Sequence, residues 1–456
     1  MINSKDLTNF NGPLRKNSVN PRYFTDDTGK AIYLTGSHTW ANLQEIKLEG
    51  DPDFDYDEFL NLLESHNHNF MRMWEWIHPE KAPWTMDRII FEPLPFARTG
   101  PGMASDGKPK FNLDQWNESY FERMRDRVIK AGERGIYVSV MFFEGYCLKW
   151  AIPNNINDPW LSHPFNSKNN VNRVHGDSNG DGKADIFSME TPDVLKYQKA
   201  FIRKVVDTVN DLDNVLYEIL NEIPNDQRGV EWHYHIIDYV HEYEKTKPKQ
   251  HPVGMTAEGG GQDNSILFAS PADWISPGHG KQNEYRDNPP VSDGSKVIIL
   301  DTDHLWGHGG HYKWAWKSLL RGHNPIFMDP WQPIPGSDYA NKVNNIRDYP
   351  DWEPLRINLG YTRQFAQRID LNLMTPHNEL ASSEYCLTDS NKEYLIYLSD
   401  GGQVKVNLSH SNGKLNVEWF EPNTGHIVIS EPVNGGNIQE FNAPFTSDAV
   451  LYIHVK

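Results

Sequence analysis

The chain is poor in cysteine: only Cys147 and Cys386 occur among 456 residues, far apart in sequence. That excludes a disulfide framework and leaves room for one isolated bridge at most. No apolar run approaches the ~18 residues that a bilayer-spanning helix needs. The start, MINSKDLTNFNGPL, has neither a basic n-region nor an apolar h-region, so no signal peptide is visible. Positive charge is scarce as well, with 44 Lys and Arg against 62 Asp and Glu and a formal net charge of −18. A nucleic-acid-binding protein is expected to carry a basic face, and this balance argues against one. Heptads and solenoid repeats are missing too. Neither nucleic acid nor a membrane is therefore expected as a partner.

What the chain does have is aromatic: 15 Trp, 20 Tyr and 20 Phe. Such an excess fills a core or lines a cleft for a ligand with apolar faces and polar edges, a description that sugars fit. From about residue 31 to 330, short β-rich runs alternate with helical or loop segments. The runs are AIYLTG (31–36), NFMRMW (69–74), GIYVSVMFF (135–143), NVLYEIL (214–220), PVGMTAE (252–258), DWISPG (273–278), VIILDTD (297–303) and PIFMD (325–329). They are apolar throughout rather than alternating, as strands buried on both faces should be. Thr191 and Pro192 open a helical pattern in Val194, Phe201, Val205 and Val209. A second helix is expected from about Ser119 to Glu133. Eight strands separated by helices predict an α/β fold of the (β/α)₈ TIM-barrel type. A hairpin, RYFTDDTGKAIYL, should feed the first strand. After about residue 380, short alternating runs such as EYLIYL, QVKVNL and AVLYIHV predict a small antiparallel β-sandwich. The expected division is 1–380 for the barrel and 381–456 for the β-domain.

In such a barrel, residues just past the strand C-termini converge on one site. Here they are His38, Glu75, Glu144, Asn221 with Glu222, Glu258, His279, Asp301 with Asp303, and Asp329. Each alone could be a solvated loop residue, but together they predict an acidic, polar mouth. Paired carboxylates are the tools of glycoside hydrolysis: one, kept protonated, donates to the leaving oxygen, while the other attacks the anomeric carbon or activates water.

Asn-Glu at the end of strand four, with an acid ending strand seven, resembles the clan of retaining glycoside hydrolases built on (β/α)₈ barrels. AIYLTGSHTW and NFMRMWEW resemble the first two strands of its cellulase-like members, and the C-terminal runs resemble the small β-domain, labelled collagen-binding, that follows apiosidase-like barrels. The resemblance covers roughly residues 20–456, and LYEILNE is its strongest motif. It implies a glycoside hydrolase acting on a carbohydrate substrate, a complex plant or algal poly- or oligosaccharide, cleaved from an end. No cofactor is implied for catalysis. It implies work outside the cytoplasm, secreted or periplasmic, with a cytoplasmic place left open. Carried over by residue, Glu222 matches the acid/base, Asn221 the partner of the sugar 2-hydroxyl, and Arg72 the support of the strand-seven carboxylate. His38, Trp40, Trp74, Trp76, Glu144, His279, His304, Trp306 and Trp331 are candidates for substrate contact. At strand seven the chain departs from the clan, whose nucleophile is a glutamate: VIILDTDH offers two aspartates instead. The apolar run aligns Asp301 with the nucleophile, whereas Asp303 sits nearer the mouth. On a regular strand the two would point to the same face.

Two further readings stay open. His38, His279, Asp301, Asp303, His304 and Asp329 could ligate zinc in an amidohydrolase-type barrel, although SHTW has a single histidine where a His-x-His pair is expected. A catalytically inactive carbohydrate-binding protein is the other alternative. Separately, GDSNGDGKADIF sets Asp177, Asn179, Asp181 and Asp185 at the start of a calcium-loop pattern, which predicts a structural Ca²⁺. Position twelve of that pattern is Ser188, so it is not a full EF-hand.

Overall fold

The computed structural model describes residues 10–152, 155–222, 226–257, 263–331 and 352–455. Eight parallel strands form one sheet: β1 (Gly36–His38), β2 (Phe70–Met73), β3 (Tyr137–Glu144), β4 (Val215–Asn221), β5 (Val253–Thr256), β6 (Trp274–Ser276), β7 (Val297–Asp301) and β8 (Asn324–Met328). Their order is β1-β8-β7-β6-β5-β4-β3-β2. The Asn69 N–H donates to the Thr35 carbonyl at 2.9 Å and closes the ring between β2 and β1. All eight strands are buried end to end, which is why their sequences run apolar instead of alternating. Helices follow: α1 (Tyr56–Ser65), α2 (Glu118–Glu133), α3 (Pro192–Val209), α4 (Gln227–Glu244), α5 (Ser265–Ala269), α6 (Glu284–Asp287), α7 (Tyr312–Leu320) and α8 (Glu353–Arg368). The fold is a (β/α)₈ barrel.

Most expected elements appear within a residue or two, Pro192 at the first turn of α3 included. The first strand does not. Ala31–Ile32 pairs antiparallel with Phe24–Thr25 as part of the entry hairpin, and the barrel strand starts only at Gly36. Both stretches are apolar, so composition could not separate the hairpin edge from the barrel wall. The helix between β5 and β6, barely signalled in the sequence, spans five residues.

The long stretch after β2 carries its own hairpin, Phe96–Met103 against Pro109–Trp116. C-terminal to α8, strands β9 (Thr375–Pro376), β10 (Cys386–Thr388), β11 (Glu393–Leu398), β12 (Gln403–Asn407), β13 (Lys414–Glu421), β14 (His426–Asn434), β15 (Ile438–Asn442) and β16 (Ala449–Val455) follow. They form a six-stranded sheet, β9-β10-β11-β16-β13-β14, and a two-stranded one, β12-β15. Trp316 of α7 and Phe365 of α8 pack on Tyr397, Phe420 and Tyr452 of the larger sheet. Arg368 donates to both carboxylate oxygens of Glu418, at 2.7 and 3.0 Å. No helix among the described residues is long and apolar enough to cross a membrane.

Candidate active site

Arg72, fully buried in β2, organises the floor of the barrel mouth. Its Nε and Nη2 donate to the two oxygens of Glu218, at 2.8 and 2.5 Å, a fork-to-fork pair. Nη2 also donates to Asn221 Oδ1 at 2.7 Å. Nη1 donates to Asp301 Oδ2 at 2.7 Å and to Asp303 Oδ2 at 3.1 Å. One guanidinium thus holds residues from β4 and β7. Five N–H donors on a rigid plane suit that task, and lysine could not perform it.

The two aspartates are not equivalent. β7 ends at Asp301, and Thr302–His304 form a 3-10 turn in which the Asp301 side chain accepts from the Asp303 N–H at 2.9 Å. The turn breaks the period-two expectation for this pair. Asp301 is wholly buried and saturated: besides Arg72 and that amide, it accepts from His38 Nε2 at 2.8–3.0 Å. The Trp74 indole donates to His38 Nδ1 at 2.8 Å, so the histidine proton sits on Nε2 and points at Asp301. Against the pull of burial, His38 and Arg72 hold the Asp301 carboxyl well below the usual range. Burial pushes Asp303 up to about 6; Arg72 opposes the rise and the Asp301 charge adds to it. Of the two, Asp301 keeps the charge and Asp303 takes up the proton.

Above this floor lies a cavity of about 150 Å³, faced by Asn221, Glu222 and Asp303 and walled by Trp40, Trp74, Trp76, Tyr146 and His308. Asp301 does not reach it. Glu222 follows the last residue of β4 with φ 57°, a left-handed conformation rare for a side-chain-bearing residue; such strain gathers at functional sites. Lys149 Nζ lies 3.9 Å from Glu222 Oε2. Gly145 donates its N–H to the Asn221 carbonyl at 2.8 Å, and a Cβ there would lie 2.8 Å from the Glu222 carbonyl oxygen. Only glycine lets the end of β3 come so close. Asn221 Oδ1 accepts from Arg72 and from His304 Nε2 at 3.2 Å, so its amide N–H₂ remains for the cavity. His304 Nδ1 is in turn bonded to Ser276 Oγ at 2.9 Å.

The remaining candidates fall elsewhere. His38 and His304 are buried behind Trp74 and Asn221 and do not line the cavity. Glu144 is buried, its carboxylate turned to the Cys147 N–H at 3.1 Å. Trp331 packs edge-on to Phe54 in the core, and Trp306 packs edge-on to Trp314. His279 is bonded through Nδ1 to the Gly280 carbonyl, away from the cavity. Asp329 accepts two 2.6 Å bonds from Arg356 of α8. Glu258 lies outside the described residues. Asp177, Asn179, Asp181 and Asp185 occupy an exposed turn where most of their oxygens accept from the turn itself, Asp177 from the Gly180 N–H at 2.7 Å and from the Gly182 N–H at 3.0 Å. The sequence reading missed Glu218, Tyr146 and His308. Glu218 left a signal, because an acid in mid-strand of a buried sheet needs a cation.

Roomier spaces lie away from the strand ends, such as one of about 700 Å³ beside the start of α2, where Glu45 is already paired with Arg123 at 2.7 Å. Size does not pick the site; converging chemistry does.

Residues 87–275 match the family model described as "Domain of unknown function (DUF6298)", and residues 370–454 match "Putative collagen-binding domain of a collagenase". Comparison with curated protein sequences gives no match. Among solved structures, the chain is similar to a glycoside hydrolase family 5 protein from Bacteroides vulgatus, with TM-score 0.63 and 15% identity over 97% of this chain and 93% of that one. It is also similar to a structure titled "Glycoside hydrolase", with TM-score 0.61 and 14% identity over 97% of both chains. At these identities the likeness establishes the fold, barrel and β-domain together.

Proposed function

We propose that the chain is a glycoside hydrolase in which Glu222 is the general acid/base and Asp303 the nucleophile. The observation that carries the proposal is the cavity at the strand ends, which both carboxylates face together with the Asn221 amide, within indole walls. Glu222 protonates the glycosidic oxygen as the bond to the anomeric carbon breaks, and Asp303 attacks that carbon to form a glycosyl ester. Glu222, now ionised, takes a proton from water, which hydrolyses the ester. Asn221 donates to the sugar 2-hydroxyl, a bond that strengthens as positive charge develops on the ring. The cavity favours Asp303 over Asp301, whose oxygens are already saturated. Asp301 is instead the ionised partner that keeps Arg72 and His38 in place.

The described cavity has about five waters' worth of liquid volume, at ~30 Å³ each. That supports binding one sugar ring at a time and release from a chain end of a plant or algal saccharide. A polysaccharide substrate, too large to enter a cell intact, supports a secreted or periplasmic place of work. The zinc-hydrolase reading loses support, because a guanidinium occupies the centre where a divalent cation would sit and Asp329 is bound to Arg356.

A panel of aryl glycosides and polysaccharides tests the assignment. Cleavage that Glu222→Gln abolishes on substrates with a poor leaving group is expected; a Glu222→Gln variant fully active on those substrates overturns it. NMR of the first-formed product should show the substrate's own anomer. The opposite anomer would make Asp303 a base acting through water. A rapid fall in polymer viscosity would contradict chain-end action.

A further inference from the structure

Beside the catalytic cavity, and not lining it, lies a second group of buried chemistry. A ring nitrogen of His78, a carboxylate oxygen of Glu144 and the Cys147 thiol all lie within 4.8 Å of one another. All three residues are buried, and no other such group of His, Cys, Asp or Glu occurs among the described residues. We propose that His78, Glu144 and Cys147 form a zinc-type divalent-cation site, with Glu75 as the adjoining carboxylate, that pins the loop after β2 to the end of β3.

Two observations independent of the cluster point to a ligand. His78 Nε2 is buried without a hydrogen-bond partner among the described residues, while the ring lies beside the backbone of Lys81. A metal-ligating imidazole typically sets one nitrogen against a backbone carbonyl and aims the other at the ion. Both oxygens of Glu75 are likewise buried without a partner, close enough to Glu144 for their charges to repel. A buried carboxyl with no donor and a like charge nearby is costly, and a dication would relieve both acids at once. Nitrogen, sulfur and oxygen ligands together select a borderline ion such as Zn²⁺ over the oxygen-seeking Ca²⁺ and Mg²⁺. The ligand atoms need to draw in by at most about 1.5 Å to meet tetrahedral spacing, given Zn–N of ~2.0 Å and Zn–S of ~2.3 Å. Binding displaces the thiol proton and the protons that burial keeps on the Glu144 and Glu75 carboxyls to solvent, and involves no redox change.

The ion would be structural. Glu75 and His78 flank Trp76, which walls the cavity, and Glu144 precedes Gly145, whose N–H holds the Asn221 carbonyl. The site therefore stiffens the wall beside Glu222 without touching the reacting atoms.

The test uses the full chain, stripped with chelator and desalted, then loaded with Zn²⁺ or with Co²⁺ as a spectroscopic probe. After gel filtration one zinc per chain should remain and the melting temperature should rise. Cobalt should give a thiolate-to-metal charge-transfer band. Cys147→Ala should remove the band and weaken zinc retention at least about tenfold, and Cys386→Ala should change neither. His78→Gln should weaken retention to a similar degree. If Cys147→Ala does not fold, the wild-type stoichiometry and cobalt band decide. A wild-type chain that holds no zinc and shows no band, or a band lost with Cys386 instead of Cys147, overturns the proposal.

Discussion

The two sides of the barrel mouth handle buried acids in opposite ways. On the β2–β4–β7 side, Glu218 and Asp301 each have Arg72 as a hydrogen-bonded cation, and His38 adds a further donor to Asp301. On the β3 side, Glu75 and Glu144 are buried as well and have no cation partner among the described residues. Burial pushes Glu144 up to about 8, against the hydrogen bond from Cys147, and carries Glu75 well above the usual range. The first side is a charged, rigid floor on which catalytic groups can be aimed. The second is a set of ligands without a counter-charge. Acidity alone does not single out a candidate catalytic carboxylate here; what sets Asp303 and Glu222 apart is that they face a cavity.

Removing the groups that face the cavity should have the largest effect. Asp303→Asn and Glu222→Gln should each lower kcat by ~10²–10⁴-fold or more on a substrate with a poor leaving group, measured by steady-state kinetics, with melting temperature little changed. Next, Arg72→Ala should strip the cation from Glu218 and Asp301, costing about 3–5 kcal/mol of stability. Chemical denaturation would measure that loss, and a loss below ~1 kcal/mol would mean the floor is not held by charge. Asp301→Asn sharpens the contrast between the aspartates. As the proposed nucleophile Asp303 must be ionised, so activity should fall as pH drops through about 6. The Asp301 charge raises that value, so the variant's acid limb should move to lower pH; no movement would separate the two groups electrostatically. The smallest effect is expected at the loop of Asp177 and Asp181, already folded by its own turns. Added calcium should raise the melting temperature by a few degrees at most, and Asp177→Ala should abolish the rise if an ion binds.

Much of this was legible in the sequence because barrel strands buried on both faces leave apolar runs, and because LYEILNE ends one of them in an acid. The pairing of Arg72 with the strand-seven aspartates was also readable. The choice between Asp301 and Asp303 was not, since it depends on a 3-10 turn replacing the last residues of an apparent strand. Nor was the true start of β1, where an apolar hairpin edge runs into an apolar wall. The His78–Glu144–Cys147 group left no spacing motif: its members sit on the loop after β2, at the end of β3 and just beyond it, and the pairing of β2 with β3 brings them together.

The account rests on Glu222 as the proton donor. The most direct measurement compares Glu222→Gln on paired aryl glycosides, one whose phenol leaves readily without protonation and one whose alcohol does not. The account predicts near-complete loss on the poor leaving group and substantial remaining cleavage on the good one. An equal loss on both, or none on either, would contradict it.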